Sequence, residues 1–202
     1  MKSRLLCLLA VMVALCAPAM AQKVTKEQAE HADHIEFKMR QVNVLIRLTP
    51  ILMTKAQINK LMGALEKART NLEKIQTAEY NAMKAIEAEI DEAIKAGLNN
   101  NEAPGTTLIN KIGNMVNRIS IIREAVTGEN VDLVREEMKK IFTPTQIKVI
   151  AGTFTAGEIG PGRKPEEIKE DTKLNYFIRR VLFDPVGYMT LSDMFKAAKP
   201  GN

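Results

Sequence analysis

Apolar residues recur along this chain at spacings of three and four with charged residues between them, the pattern of amphipathic helices. Ile35, Met39, Val42 and Ile46 form the first stripe and predict a helix over 26–48. Leu48-Thr49-Pro50-Ile51 breaks it, because a residue that precedes proline is pushed out of the helical region. From Ile58 the seam runs through Leu61, Leu65, Ala68, Leu72 and Ile75, and beyond Glu79 it resumes at Ala82, Ile86, Ile90 and Ile94. A seam sustained that long predicts one helix over 55–96, roughly 60 Å in length. One small domain cannot bury such a helix, so neighbouring helices or a second copy of the chain must cover it.

Gly97 is placed to end the second helix, and Asn99 to Gly105 reads as a turn. A third helix over 107–127 carries Leu108, Ile112, Met115, Ile119, Ile122 and Val126, is ended by Gly128, and returns along the second. A fourth, over 131–141, buries Val131, Val134, Met138 and Ile141, and a short helix follows to Gly152. Gly157, Gly160, Pro161, Gly162 and Pro165 then mark a connector. Short helices are predicted over 171–183 and 190–198, with Phe177, Val181, Leu182, Phe183, Tyr188 and Phe195 to dock them. The fold class that follows is all-α: a long antiparallel helical hairpin assembly with a flexible helical C-terminal tail.

Two short units stand where helices are expected to start. In Met53-Thr54-Lys55-Ala56-Gln57 and Phe142-Thr143-Pro144-Thr145-Gln146, threonine is an N-cap whose hydroxyl accepts from a backbone amide, while glutamine three residues on reaches back to the threonine amide. The flanking pairs Met53 with Ile58 and Phe142 with Ile147 occupy the positions of a hydrophobic staple. Pro144 at the first helical position loses nothing by lacking an amide hydrogen. Thr25 with Gln28 offers a further capping box ahead of the first helix.

A repeated apolar-Thr-x-x-Gln unit in a small, helical chain without tryptophan resembles the Spy/CpxP family of periplasmic stress proteins, whose mark is a repeated Leu-Thr-x-x-Gln. The likeness covers residues 35–152 loosely, with Met53 and Phe142 standing where leucine is usual. Staple packing tolerates both replacements, since each fills the same apolar space. The resemblance implies an ATP-independent chaperone or envelope stress adaptor, a thin helical cradle acting as a homodimer on unfolded clients or on a periplasmic sensor domain.

Compartment signals agree with that expectation. Lys2 and Arg4, the apolar run Leu5 to Ala17, and Ala19-Met20-Ala21 before Gln22 have the layout of a cleaved secretory signal peptide over residues 1–21. The run is too short to span a bilayer, and no later stretch is apolar enough, so no membrane association is expected after cleavage. The domain organisation that follows is a signal peptide, a helical domain over 22–152 and a connector with a short-helix tail over 153–202. Both cysteines, Cys7 and Cys16, fall in the removed segment, so packing alone must stabilise the mature chain.

The chain holds 29 basic and 24 acidic residues, and two of the basic ones leave with the signal peptide. The slight excess is spread among acidic neighbours without interleaved aromatic rings, which excludes a nucleic-acid track. His31 and His34, beside Glu30 and Asp33, could present donors on one helical face, but two histidines leave a metal site short of ligands. Gly157 to Lys164 lacks the Gly-Lys-Ser/Thr of a phosphate loop and follows no strand. No nucleophile stands beside a base and no carboxylate pair is isolated, so neither catalysis nor a cofactor is expected. Two other readings stay open: a metal-responsive regulator of a sensor protein that uses His31 and His34 or the C-terminal tail, and a structural envelope coiled-coil protein.

Overall fold

The computed structural model describes residues 25–160 and 162–198; the expected signal peptide lies outside the described residues, as do Pro161 and the Lys199–Asn202 end. The described residues are all-α, with helices α1 (Lys26–Leu48), α2 (Lys55–Lys84), α3 (Glu87–Asn100), α4 (Thr106–Ile141), α5 (Pro144–Ala151), α6 (Ala156–Ile159), α7 (Glu170–Phe177) and α8 (Pro185–Ala197). Single turns of 3₁₀-helix occupy Thr49–Ile51 and Pro165–Glu167, and a π-helical turn occupies Ile178–Leu182. None of these helices is long and apolar enough to cross a membrane.

The chain divides into a unit that ends at Met39 and a larger one from Arg40 onward. In the first, Thr25 and Gln28 close their capping box: the Thr25 amide donates to Gln28 Oε1 at 3.0 Å and the Gln28 amide to Thr25 Oγ1 at 3.2 Å. Its described side chains are exposed apart from the half-buried Phe37.

The larger unit is organised by α2 and α4, which pack antiparallel. Their 30 and 36 residues make rods of about 45 and 54 Å at 1.5 Å per residue. Ile58, Leu61, Leu65 and Ala68 of α2 meet Val131, Val134 and Met138 of α4 in one buried core near the capping units. The segment expected as a flexible tail belongs to this core: Leu174, Phe177, Ile178, Val181 and Leu191 are among its most deeply buried side chains.

Gly187 explains how the last helix docks so tightly. A Cβ built there would collide with the Val181 carbonyl, so only glycine lets α8 press against the π-helical turn. The connector is also pinned. Arg47 lies 3.8 Å above the Phe154 ring, donates to the Thr153 carbonyl at 3.1 Å, and Phe154 meets Tyr176 edge-on at 4.8 Å.

Four local expectations are corrected. The helix predicted over 55–96 breaks at Ala85 and Ile86, the latter leaving helical geometry at φ −114° and ψ 2°. The break falls where the seam changes from alternating threes and fours to a run of fours at Ala82, Ile86, Ile90 and Ile94, a mismatch that one straight helix cannot keep facing one partner. Gly97 does not end α3, which runs to Asn100; Asn101 takes the left-handed cap instead, at φ 59°. Gly128 does not end the third helix, because the stripe passes it in phase from Val126 through Asn130 to Val134, and packing on both sides outweighs the roughly 1 kcal/mol that an interior glycine costs. Within the larger unit the α1 stripe points outward, Val42 and Ile46 being 55% and 64% exposed, while Val44 and Leu48 face the core.

Far from that core, α2 and α4 cover each other only partly, and their apolar positions Ile75, Ile112, Met115, Ile119 and Ile122 are half-buried. One ion pair fixes them there. Glu79, 5% exposed on α2, accepts from Arg123 of α4 at 2.7 and 2.6 Å, and this forked contact holds the carboxyl below its usual pKa.

Two outcomes follow. Gly187→Ala should destabilise the fold by about 1–3 kcal/mol in chemical denaturation, as overpacking against a backbone carbonyl does. Because the folded pKa of Glu79 is lowered, its contribution is present above the unfolded value of 4.5 and is lost as pH falls through the folded value. Arg123→Ala should therefore lower Tm most near pH 7, where a buried carboxylate loses its partner, and the loss should shrink as pH falls through the folded value of Glu79.

Candidate functional site: two capping units joined through their glutamines

Both predicted units form as read. Thr54 caps α2 and Thr143 caps α5, each in extended geometry, at φ −72°, ψ 158° and φ −68°, ψ 158°. The Gln57 and Gln146 amides donate to the respective threonine hydroxyls at 3.2 Å, and each glutamine Oε1 accepts from its own threonine amide at 3.0 Å. Pro144 occupies the start of α5. Of the staple residues Ile58, Phe142 and Ile147 are buried, and Met53 is half-buried.

The two units also meet. Gln57 Nε2 donates to Gln146 Oε1 at 2.9 Å, and Gln146 Nε2 donates back to Gln57 Oε1 at 3.2 Å. Each amide nitrogen reaches further, into the backbone ahead of the other unit. Gln57 Nε2 donates to the Ile141 carbonyl at 3.0 Å, and Gln146 Nε2 to the Ile51 carbonyl at 3.0 Å and the Leu52 carbonyl at 3.3 Å. Two hydrogens on Gln146 face three acceptors, so one of them is shared. The arrangement is a local two-fold exchange: each glutamine caps its own helix through oxygen and ties down the other unit through nitrogen.

Leu52 makes this possible at a cost. It sits in the left-handed region at φ 53°, its amide bonded to the Thr49 carbonyl at 3.2 Å and its side chain 80% exposed. A leucine there is strained, and the strain persists because the turn presents consecutive carbonyls to Gln146. The lock carries no charge and has no nucleophile or base. It fixes the angle between the entries to α2 and α5, and so the setting of the long helices.

A further unit of nearly the same shape went unread in the sequence. Phe154-Thr155-Ala156-Gly157-Glu158-Ile159 repeats the apolar-Thr-x-x pattern with glutamate for glutamine, and it closes a capping box on α6. The Thr155 amide and hydroxyl donate to Glu158 Oε2 at 2.8 and 2.9 Å, while Arg47 reaches Glu158 Oε1 at 3.3 Å. The Thr155 backbone amide, then its hydroxyl and Arg47, hold the Glu158 carboxyl below the usual range. The glycines of the segment suggested a linker, but the spacing of Thr155 and Glu158 was the signal.

His31 and His34 lie exposed on α1, and among the described residues no three histidine, cysteine, aspartate or glutamate side chains gather as a metal cluster. Comparison with protein-family models, with curated proteins and with solved structures finds no match to this chain.

If the crossed amides act as one unit, Gln57→Ala and Gln146→Ala should each cost about 1–3 kcal/mol, because each leaves acceptors and an amide unpaired. The double variant should cost less than the two together, with a coupling of about 1 kcal/mol in a denaturation cycle. Full additivity would mean that the cross-bonds contribute nothing beyond the caps.

Proposed function

We propose that the chain is an exported, ATP-independent chaperone-like or envelope stress adaptor protein that binds apolar segments of unfolded or partner proteins, acting as a homodimer. The resemblance of the Met53 and Phe142 units to those of Spy/CpxP proteins suggests this class. The observation that carries the reading is apolar surface on a scaffold whose helix entries are fixed. On α2, α3 and α4, Tyr80, Ile94, Leu98, Ile109, Val116 and Ile121 stand exposed, Leu98 at 82% and Ile121 at 69%. Single exposed apolar residues are ordinary, but repeated ones along helices that only partly cover each other offer a surface that many sequences can fit.

Adaptability favours the same reading. Met83 on α2 is 46% exposed, and methionine adjusts its shape to differing partners at small cost. The crossed glutamines, being uncharged, would fix the helix entries that carry this surface independently of pH.

The test is light scattering from a chemically denatured client diluted into buffer without nucleotide, with and without near-equimolar protein starting at Gln22. Suppression of aggregation is expected, and Val116→Glu with Ile121→Glu should weaken it while leaving helicity unchanged. No suppression across several unrelated clients would overturn the proposal.

A further inference from the structure

Between α2, α4 and the turn into α8 lies a half-open cleft of about 410 Å³, a size within the range of small-molecule sites. Its deep lining is Leu65, Ala68 and Leu182, all buried, and its outer walls are Leu72, Phe183 and Met189. At the bottom the buried Asn130 of α4 donates to the Ala68 carbonyl at 3.0 Å and accepts from Asn71 at 3.0 Å, so its main polar demands are met within the protein. The walls therefore ask for an apolar occupant.

Polar discrimination is concentrated at the mouth. The charged residues of the lining are Arg69 and Asp184. Asp184 is spoken for: both its oxygens accept from Arg40 at 2.8 Å, and Oδ1 also accepts from the Val186 amide at 2.8 Å as the cap of α8. Arg69 is held only loosely. One of its nitrogens reaches Glu66 at 3.4 Å with both side chains about half exposed, and the guanidinium lies 4.8 Å from the centre of the Tyr188 ring. A half-exposed contact of that length is weak, and a planar guanidinium gains more from a forked carboxylate.

We propose that this cleft binds a free medium-chain carboxylic acid, with the chain between the Leu72 and Met189 walls and the carboxylate on Arg69. This site is separate from the exposed arm on which clients are proposed to bind, so either proposal can fail alone.

Decanoate and decyltrimethylammonium, each below its micellar concentration, and decanol, below its solubility limit, are titrated into the full processed chain by calorimetry. The sites of binding are mapped by amide chemical shifts. Decanoate should bind one to one, with shifts confined to residues around the cleft, and at least about tenfold more tightly than decanol, the worth of one charge-assisted contact. Arg69→Gln should abolish that preference while leaving decanol affinity unchanged. Met189→Trp should block binding by filling the cleft from α8. Leu72→Trp does so from α2, and circular dichroism of each variant confirms that it is folded. Equal binding of decanoate and decanol by the wild type overturns the proposal. So do shifts elsewhere in the chain, undiminished binding by both folded tryptophan variants, or occupation of the cleft by apolar peptides but not by decanoate.

Discussion

The crossed pair of glutamine amides is the constraint on which the rest of the fold depends. Gln57 and Gln146 are separated by most of the hairpin in sequence, yet each completes the other's hydrogen bonding. Neither could be satisfied so fully unless α2 and α4 ran back to within one amide's reach. The lock therefore rewards a single register of the hairpin, and it does so with neutral groups that salt and pH barely affect. Its requirement for presented carbonyls also accounts for the strained geometry of Leu52.

Stability thins out with distance from that lock. Near it, α1, α2, α4, α5, α7 and α8 of the larger unit all contribute wholly buried apolar side chains. Along the arm the apolar residues are only half covered, and the buried groups that align the helices are polar. The Asn130 contacts to Asn71 and Ala68 and the forked Glu79–Arg123 pair stand at successive levels of the helix pair. Buried polar groups of this kind specify register more than they add stability, because a slip by one turn would leave them unpaired. Such an arm keeps its shape while leaving apolar surface in solvent, which is what the proposed client-binding role requires.

The C-terminal segment turns that scaffold into a closed body. The π-helical turn and Gly187 bring α8 close enough to bury Leu191. Asp184, held by Arg40, starts the helix where the cleft opens. A segment rich in glycine and proline thus reads as loose in isolation but is fixed by contacts to side chains far off in the chain, Arg47 on Phe154 foremost.

Sequence alone determined the local events: the helical class, the break at Pro50, the starts at Thr54 and Thr143, and the core positions Leu61, Leu65, Val134 and Met138. These rest on interactions within four residues or on a periodicity that any helix must obey. The capping box of Thr155 and Glu158 was legible by the same rule and was masked only by its glycines. What tertiary structure decided was which faces found partners. Within the larger unit Val42 and Ile46 looked like part of a core face, yet Val44 and Leu48 are the residues that other helices cover. Gly128 looked like a stop until packing on either side held the helix through it. The meeting of Gln57 with Gln146 had no sequence signal beyond the repetition itself, because a hydrogen bond between distant residues exists only once the chain between them has folded back.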